Sequence, residues 1–230
     1  MNLLSATVKT EKTEKAFPDW ENAITYLLPN KVLCPFSAQC FGPCLKSSGR
    51  LPMSKKLMIE RTKMFFQTPE VFFHILNSEL LKKHTSAKRK NKKLAYRFNG
   101  TSDTFKVVKK FLDADRQPFD RLYDYTKDFL RVINYQNYKG YHLTFSFDGL
   151  NSDEASYLLK NSIANVAVVF NTKPGEELPA TFNFGGVDYP VTDGDLHDLR
   201  FTDPAQVIIG LRAKGKARKN ENGFVNKVEV

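Results

Sequence analysis

No apolar run in this chain of 230 residues approaches the roughly 20 residues that a bilayer-spanning helix needs. The opening segment, MNLLSATVKTEKTEKAF, turns polar within a few residues and carries no secretory apolar core. There is neither a Walker-type loop nor a G-x-G-x-x-G, so both nucleotide-binding fingerprints are missing. Nothing reads as a helix-turn-helix or a paired-cysteine finger. No repeat of fixed period is visible and no linker divides the chain, so a single domain is expected. Cysteine is scarce, with three residues. An odd count argues against a disulfide framework and for an intracellular protein whose thiols stay reduced. Acid falls short of base, 25 Asp and Glu against 35 Lys and Arg, and the net charge of +10 favours polyanionic partners. The rest, 41% hydrophobic and 26% charged, is ordinary for a soluble globular chain long enough to bury a core.

Residues 1–30 read as a polar N-terminal arm that ends in a short helix at WENAITYLL. KVLCP reads as a strand running into a cysteine loop. SKKLMIERTKMFF is a helix, and TPEVFFHILNSELLKKH is the clearest one, with Thr68 as N-cap, Pro69 as first residue and Phe72, Ile75, Leu76 and Leu80 as its stripe. The basic run KKHTSAKRKNKK lacks periodicity and reads as a solvated loop. Strands and helices then alternate. LAYRFNG, DRLYDYTK, YHLTFSFDG, NVAVVF, VDYPVTDGD and QVIIGLRAKG are strands. TSDTFKVVKKFL, capped by Ser102, DFLRVINYQNY, and NSDEASYLLKNS, with an Asn151/Glu154 capping arrangement, are helices. Strands separated by helices imply parallel pairing. The expected fold is therefore α/β, a single β/α barrel-like domain (a complete or partial TIM-type barrel) over residues 31–218, with an open doubly wound sheet as the other shape and a tail over 219–230.

Each strand runs into a polar cluster. Asn99, Ser102 and Asp103 follow the LAYRF strand, Lys127 follows RLYDY, Ser146 and Asp148 follow HLTF, and Lys173 follows VAVVF. His197 and Arg200 follow the PVTDGD strand, and Arg212 and Lys214 follow VIIGL. In parallel α/β folds these carboxyl ends open on one face, where ligands bind.

All three cysteines, Cys34, Cys40 and Cys44, fall within the stretch KVLCPFSAQCFGPCLKSSGR, spaced C-x5-C-x3-C. A thiolate trio suits zinc or an iron–sulfur cluster. Zinc would need a fourth ligand from His74, His84, His142 or His197. Closely spaced thiolates in loops with proline or glycine often hold iron–sulfur clusters, and three of them on a four-iron cluster leave one iron open. Three unligated thiols, or one nucleophilic cysteine with a histidine partner, are the remaining possibilities.

A three-cysteine loop directly after the first strand of a β/α fold resembles the radical S-adenosylmethionine enzymes. The spacing usual there is C-x3-C-x2-C with an aromatic before the last cysteine, whereas here Pro43 precedes Cys44. FNGTSD occupies the place of their glycine-rich segment with a single glycine. The resemblance implies a four-iron, four-sulfur cluster on Cys34, Cys40 and Cys44 and S-adenosylmethionine as cosubstrate. The segments CPFSAQCFGPCLKSSG, RFNGTSD, YDYTK, YHLTFSFD, VAVVF, DGDLHDLRFTDP and VIIGLRAKGKARK together resemble a phage-encoded family of unknown function, the gene product eighty-eight type. That likeness implies a viral protein in the host cytoplasm and hands over no catalytic residues.

The expected site thus has Cys34, Cys40 and Cys44 on the metal. Asn99, Ser102, Asp103, Lys127, Ser146, Asp148 and Lys173 line the cosubstrate pocket. His197, Arg200, Arg212 and Lys214 meet an anionic substrate, a nucleotide or nucleic acid. Two other classes stay open. One is a zinc-stabilised nucleic-acid-binding protein using the basic runs KKHTSAKRKNKK and RAKGKARK. The other is a nuclease with a divalent ion on Asp193, Asp195, His197, Asp198 and Asp203, residues that equally fit a simple turn in which Arg200 pairs with a neighbouring aspartate.

Overall fold

The computed structural model describes residues 1–44, 51–220 and 222–228. Residues 45–50 of the cysteine-bearing stretch lie outside them. Among the described residues the elements run β1 (Leu4–Ser5), α1 (Val8–Ala16), β2 (Trp20–Thr25), α2 (Lys55–Gln67), α3 (Pro69–Arg89), β3 (Lys93–Arg97), α4 (Lys106–Asp113), β4 (Arg121–Thr126), α5 (Phe129–Tyr135) and β5 (Tyr141–Ser146). They continue with α6 (Ser152–Lys160), β6 (Val166–Phe170), β7 (Thr181–Phe184), β8 (Val187–Asp193), β9 (Ile208–Arg212) and β10 (Val225–Asn226).

The strands form one ten-stranded, mostly parallel sheet in the order β1-β2-β3-β4-β5-β6-β9-β8-β7, with β10 also on β6. From β2 to β8 every neighbour is parallel, and only the edge strands β1 and β7 are antiparallel. The two ends of this path do not pair, so the expected α/β class is found and a closed barrel is not. Consecutive parallel strands joined by right-handed crossovers place their helices on one face. The main core sits there: Leu94, Tyr96 and Phe98 from β3 and its end, and Leu143 and Phe145 from β5, pack with Phe111 of α4 and Leu158 of α6. The alternate residues Ala95 and Tyr123 face the other side, against Leu199, Phe17 and Trp20.

The amino-terminal third departs from expectation. Residues 1–30 are not an arm, since they supply β1, α1 and β2. WENAIT is a strand, paired with β3 from Trp20↔Lys93 to Ile24↔Arg97 and buried from Glu21 to Thr25. A strand covered on both faces shows no alternation, which removes the usual signal. KVLCP, read as a strand, is a turn in which the Asn30 side chain accepts from the N–H groups of Val32 and Leu33, both at 3.0 Å. An asparagine satisfying the backbone in this way competes with sheet pairing. The polar segment VKTEKTEKA forms a helix because Thr7 and Thr10 make a reciprocal capping box.

The basic run also differs. α3 continues through it to Arg89, and fully buried Ala87 anchors its last turn. Lysine and arginine are good helix formers and suit a helix carboxyl terminus. Two expected caps are employed elsewhere: Ser102 Oγ donates to Asn99 Oδ1 at 2.8 Å, and Asn151 accepts from the Asp148 N–H at 3.0 Å while donating to Ser146 O at 3.1 Å. Among the described residues no helix is long and apolar enough to cross a membrane.

Ser86→Pro tests the helical reading of the basic run. A proline inside α3 is expected to cost about 3 kcal/mol in urea unfolding, whereas a solvated loop would absorb it with little change.

Candidate functional site

The loop after β2 carries the cysteines to the carboxyl edge of the sheet. Cys34 is 9% exposed, and its thiol sits 3.9 Å from Thr101 O. Its own carbonyl accepts from the Ser37 N–H at 3.2 Å and the Ser37 hydroxyl at 2.6 Å, which folds the loop tightly. Three bonds clamp this loop and the end of β2 to the segment after β3. The Asp103 N–H donates to Leu33 O at 2.8 Å, the Thr101 hydroxyl to Leu27 O at 2.6 Å, and the Gly100 N–H to Thr25 O at 3.0 Å. Gly100 has to be glycine for this approach, because a Cβ there would stand 2.7 Å from Thr25 O.

The three thiols share one electrostatic neighbourhood. Burial pushes the Cys34 thiol up, and Asp103, Cys44 and Cys40 push it further, to about 12. No disulfide joins them. Lys127, at the end of β4, lies beside the Cys40 thiol. Burial lowers its ammonium, and the charges of Cys40, Asp103 and Asp148 outweigh that, so it sits above the ordinary lysine value. The ends of β2, β3, β4 and β5 therefore converge on one mouth containing the cysteines, Asp103, Lys127 and Asp148.

The other expected cofactor residues divide. Asn99 and Ser102 build the mouth without lining it freely. Asn99 accepts from the Ser102 hydroxyl at 2.8 Å and the Thr104 N–H at 3.0 Å, and it donates to Asp124 from its N–H at 2.8 Å and its side chain at 3.0 Å. Asp103 pairs with Arg131 and accepts the Lys127 N–H at 2.9 Å. Ser146 is half-buried at the end of β5. Lys173 is 80% exposed and 3.7 Å from Glu176.

Of the expected substrate residues, His197 and Arg200 lie away from the thiols, while Arg212 and Lys214 stand at the end of β9. Arg200 is fully buried, on the sheet face opposite the main core. Its Nε stands 3.2 Å from Asp203 Oδ2, and its Nη2 contacts His197 at 2.9 Å. Burial and the Arg200 charge hold His197 down at about 4. Arg212 and Lys214 are held by carboxylates: Arg212 by Asp193 at 2.7 Å, and Lys214 by Asp195 at 2.5 Å. Asp198, fully buried, accepts from Lys9 at 2.5 Å, Arg97 at 3.2 Å and the Tyr123 hydroxyl at 3.0 Å. The aspartate-rich turn thus spends its carboxylates on cations in separate places. Among the described residues no three His, Cys, Asp or Glu side chains are arranged to hold a metal ion.

Three contributors went unread in the sequence. Asp124 was visible as an acid inside the apolar strand RLYDY. It accepts from Asn99 and, at 3.1 Å, from the Tyr141 hydroxyl; burial lifts it to about 6 against the pull of Asn99, Arg97 and Arg131. Arg131 gave no signal, being one cation on a short helix. The carboxyl-terminal segment reaches the mouth through Asn222, whose amide donates to Gln39 O at 3.0 Å.

A parallel α/β protein with a thiol-bearing mouth at the strand ends is the class these observations define. Residues 2–227 match the family described as Gene product 88, a phage-type family, and the chain belongs to it. No curated protein and no solved structure matches the chain.

Asp198→Asn leaves Lys9 and Arg97 facing a neutral partner in the interior. It should cost about 3–5 kcal/mol in urea unfolding at neutral pH. Burial pushes the Asp198 carboxyl up, and Lys9, Arg97 and Arg200 outweigh it and hold it well below the usual carboxylate range. Its stabilisation is therefore present above the unfolded value near ~4 and is lost as pH falls through the lower folded value. The gap between parent and variant should shrink in acid, which unfolding curves across pH would register.

Proposed function

We propose that this protein is a phage-encoded iron–sulfur enzyme of the radical S-adenosylmethionine kind, acting on a nucleotide or nucleic acid in the host cytoplasm. The observation that carries the reading is that Cys34, Cys40 and Cys44 share one loop after the first parallel strand, near enough to influence one another's charge, with Lys127 and Asp103 in the same neighbourhood. The unbroken run of parallel strands from β2 to β6 and on to β9 is the order a partial barrel requires, and it supports the barrel-like form.

The donor set suits a cluster better than a single ion. One zinc ion asks four ligands to converge on a point. His74 lies exposed on α3, His84 pairs with Asp120 at 3.0 Å, and His197 contacts buried Arg200. His142, on β5, is lowered to about 4 by burial and by the Arg121 and Arg200 charges, so it too belongs with the Arg200 side. None supplies a fourth position beside the thiols. A four-iron cluster lets each thiolate meet its own iron, so the sulfurs need only surround a volume.

When bound, such a cluster supplies one electron to the reaction, and the protein supplies binding, orientation and exclusion of water. Lys127 places positive charge against the thiolates and offsets their mutual repulsion. Asp148, beside Lys127, would orient the ammonium group of a cosubstrate, while Asp103, paired with Arg131, holds the Lys127 backbone in place. Asn99, Ser102 and Arg131 hold Asp103 and its loop in place. Zinc binding and divalent-ion nuclease chemistry find less support, since the histidines lie apart from the cysteines and the aspartates of the 193–203 turn are paired with cations.

Oxygen-free purification is expected to give a brown protein with about four iron and four sulfide per chain. Cys34→Ser, Cys40→Ser and Cys44→Ser should each deplete both. A colourless protein containing zinc, or iron retained when all three cysteines are replaced, overturns the proposal.

A further inference from the structure

The carboxyl-terminal segment crosses the mouth as a strap. It leaves β9 with the Ala213 N–H donating to Phe170 O at 2.8 Å and turns through a 3₁₀ segment, Gly215–Lys219. It then reaches the cysteine loop through Asn222 and Gln39 at 3.0 Å, and returns to the sheet as β10. The loop after β5 presses against it. Gly149 has φ +94°, and a Cβ there would lie 2.5 Å from Gly223 O, so only glycine lets the strap pass.

This strap carries cations that the fold does not consume. Lys216 and Lys219 are exposed, and no carboxylate among the described residues pairs with either. Arg212 and Lys214, by contrast, are already neutralised. Side chains three apart in a 3₁₀ turn lie on one side, about 6 Å apart. Consecutive phosphates of an extended strand can meet two cations at that interval. Apolar side chains stand exposed in the loops of the same edge: Phe36 in the cysteine loop at 46%, Leu150 after β5 at 66% and Leu196 after β8 at 64%. A rim of cations beside exposed apolar groups, one of them a phenyl ring, matches a ligand with a charged backbone and flat apolar faces.

We infer that the strap and the cysteine loop together bind single-stranded nucleic acid, with Lys216 and Lys219 on phosphates and Phe36 under a base. The inference rests on the mouth being the substrate site and names the substrate's form. Cys34 is recessed at 9% exposure, so a base would reach the thiols only when out of a duplex stack. The basic end of α3, with exposed Lys82, Lys88 and Arg89, belongs to the opposite, amino edge of the sheet, because β3 begins just after it.

Fluorescence anisotropy with a labelled single-stranded oligonucleotide of about a dozen nucleotides tests this. Lys216→Gln/Lys219→Gln should weaken binding at least ten-fold and reduce the slope of log affinity against log salt by about 1.4. Phe36→Ala should weaken it about ten-fold, and Lys82→Gln/Lys88→Gln/Arg89→Gln should leave it unchanged. The inference is overturned if the α3 variant loses binding while the strap variant keeps it, if duplex DNA or polyglutamate competes as well as the single strand, or if the parent does not bind at low salt. Binding is read whether or not iron is present. A metal-free protein that still binds through the strap sinks the cluster reading alone, and an iron-loaded protein that does not bind sinks this inference alone.

Discussion

Asp124 sits fully buried within β4, and it receives three hydrogen bonds from its neighbours: the Asn99 N–H, the Asn99 side chain and the Tyr141 hydroxyl. The mouth depends on this arrangement. Asn99 opens the segment after β3, so fixing it fixes Ser102, Asp103 and the clamp on the cysteine loop. Tyr141 opens β5, so Asp124 ties the end of β3 and the start of β5 to the middle of β4 between them. A buried carboxylate is costly unless its lone pairs are satisfied. Here they are satisfied by groups from neighbouring strands, so loss of any one is felt across the mouth.

Arg97 ties this edge to the opposite face of the sheet. Its Nε donates to Asn99 O at 3.2 Å, and its Nη1 reaches both oxygens of Asp198 at 3.2 Å. Through Asp198 the chain continues to Lys9 of α1 and to Tyr123. The segment DLHDLRFTDP therefore serves as packing and charge neutralisation beneath the sheet, and the thiols occupy a separate edge. Two polar systems that look alike in composition are divided by the sheet, and only the one at the strand ends meets solvent and the cysteines together.

Legibility in the sequence followed the physics of each element. From β3 onward apolar alternation and helical stripes marked nearly every element, because half-buried strands and amphipathic helices carry a period. β2 shows no strand signal because burial on both faces removes the period. β7 is marked only by its turn, Phe-Gly-Gly-Val between two short runs, which is a hairpin signal. The basic end of α3 carries little helical signal because its lysines surround a single buried alanine, Ala87. Polarity at strand ends marks Asp103, Lys127 and Asp148, and the fold brings these three near the thiols. Arg200 pairs with Asp203, as the simple-turn reading of that segment expects, and Arg212 pairs with Asp193, a partner in another element that no local pattern indicates.

By itself the sequence determined an α/β chain whose strands alternate with helices, whose thiols lie in one loop, and whose charge is strongly positive. These follow from composition and local periodicity, which each segment carries alone. The tertiary structure decided which cations stay free and which are consumed. It also decided that α1 and the 194–203 segment pack on the sheet face opposite the helices, and that the carboxyl-terminal segment crosses to the cysteine loop. Those outcomes depend on contacts between residues as far apart as Gln39 and Asn222, or Thr13 and Asp198, and no local pattern encodes such pairings.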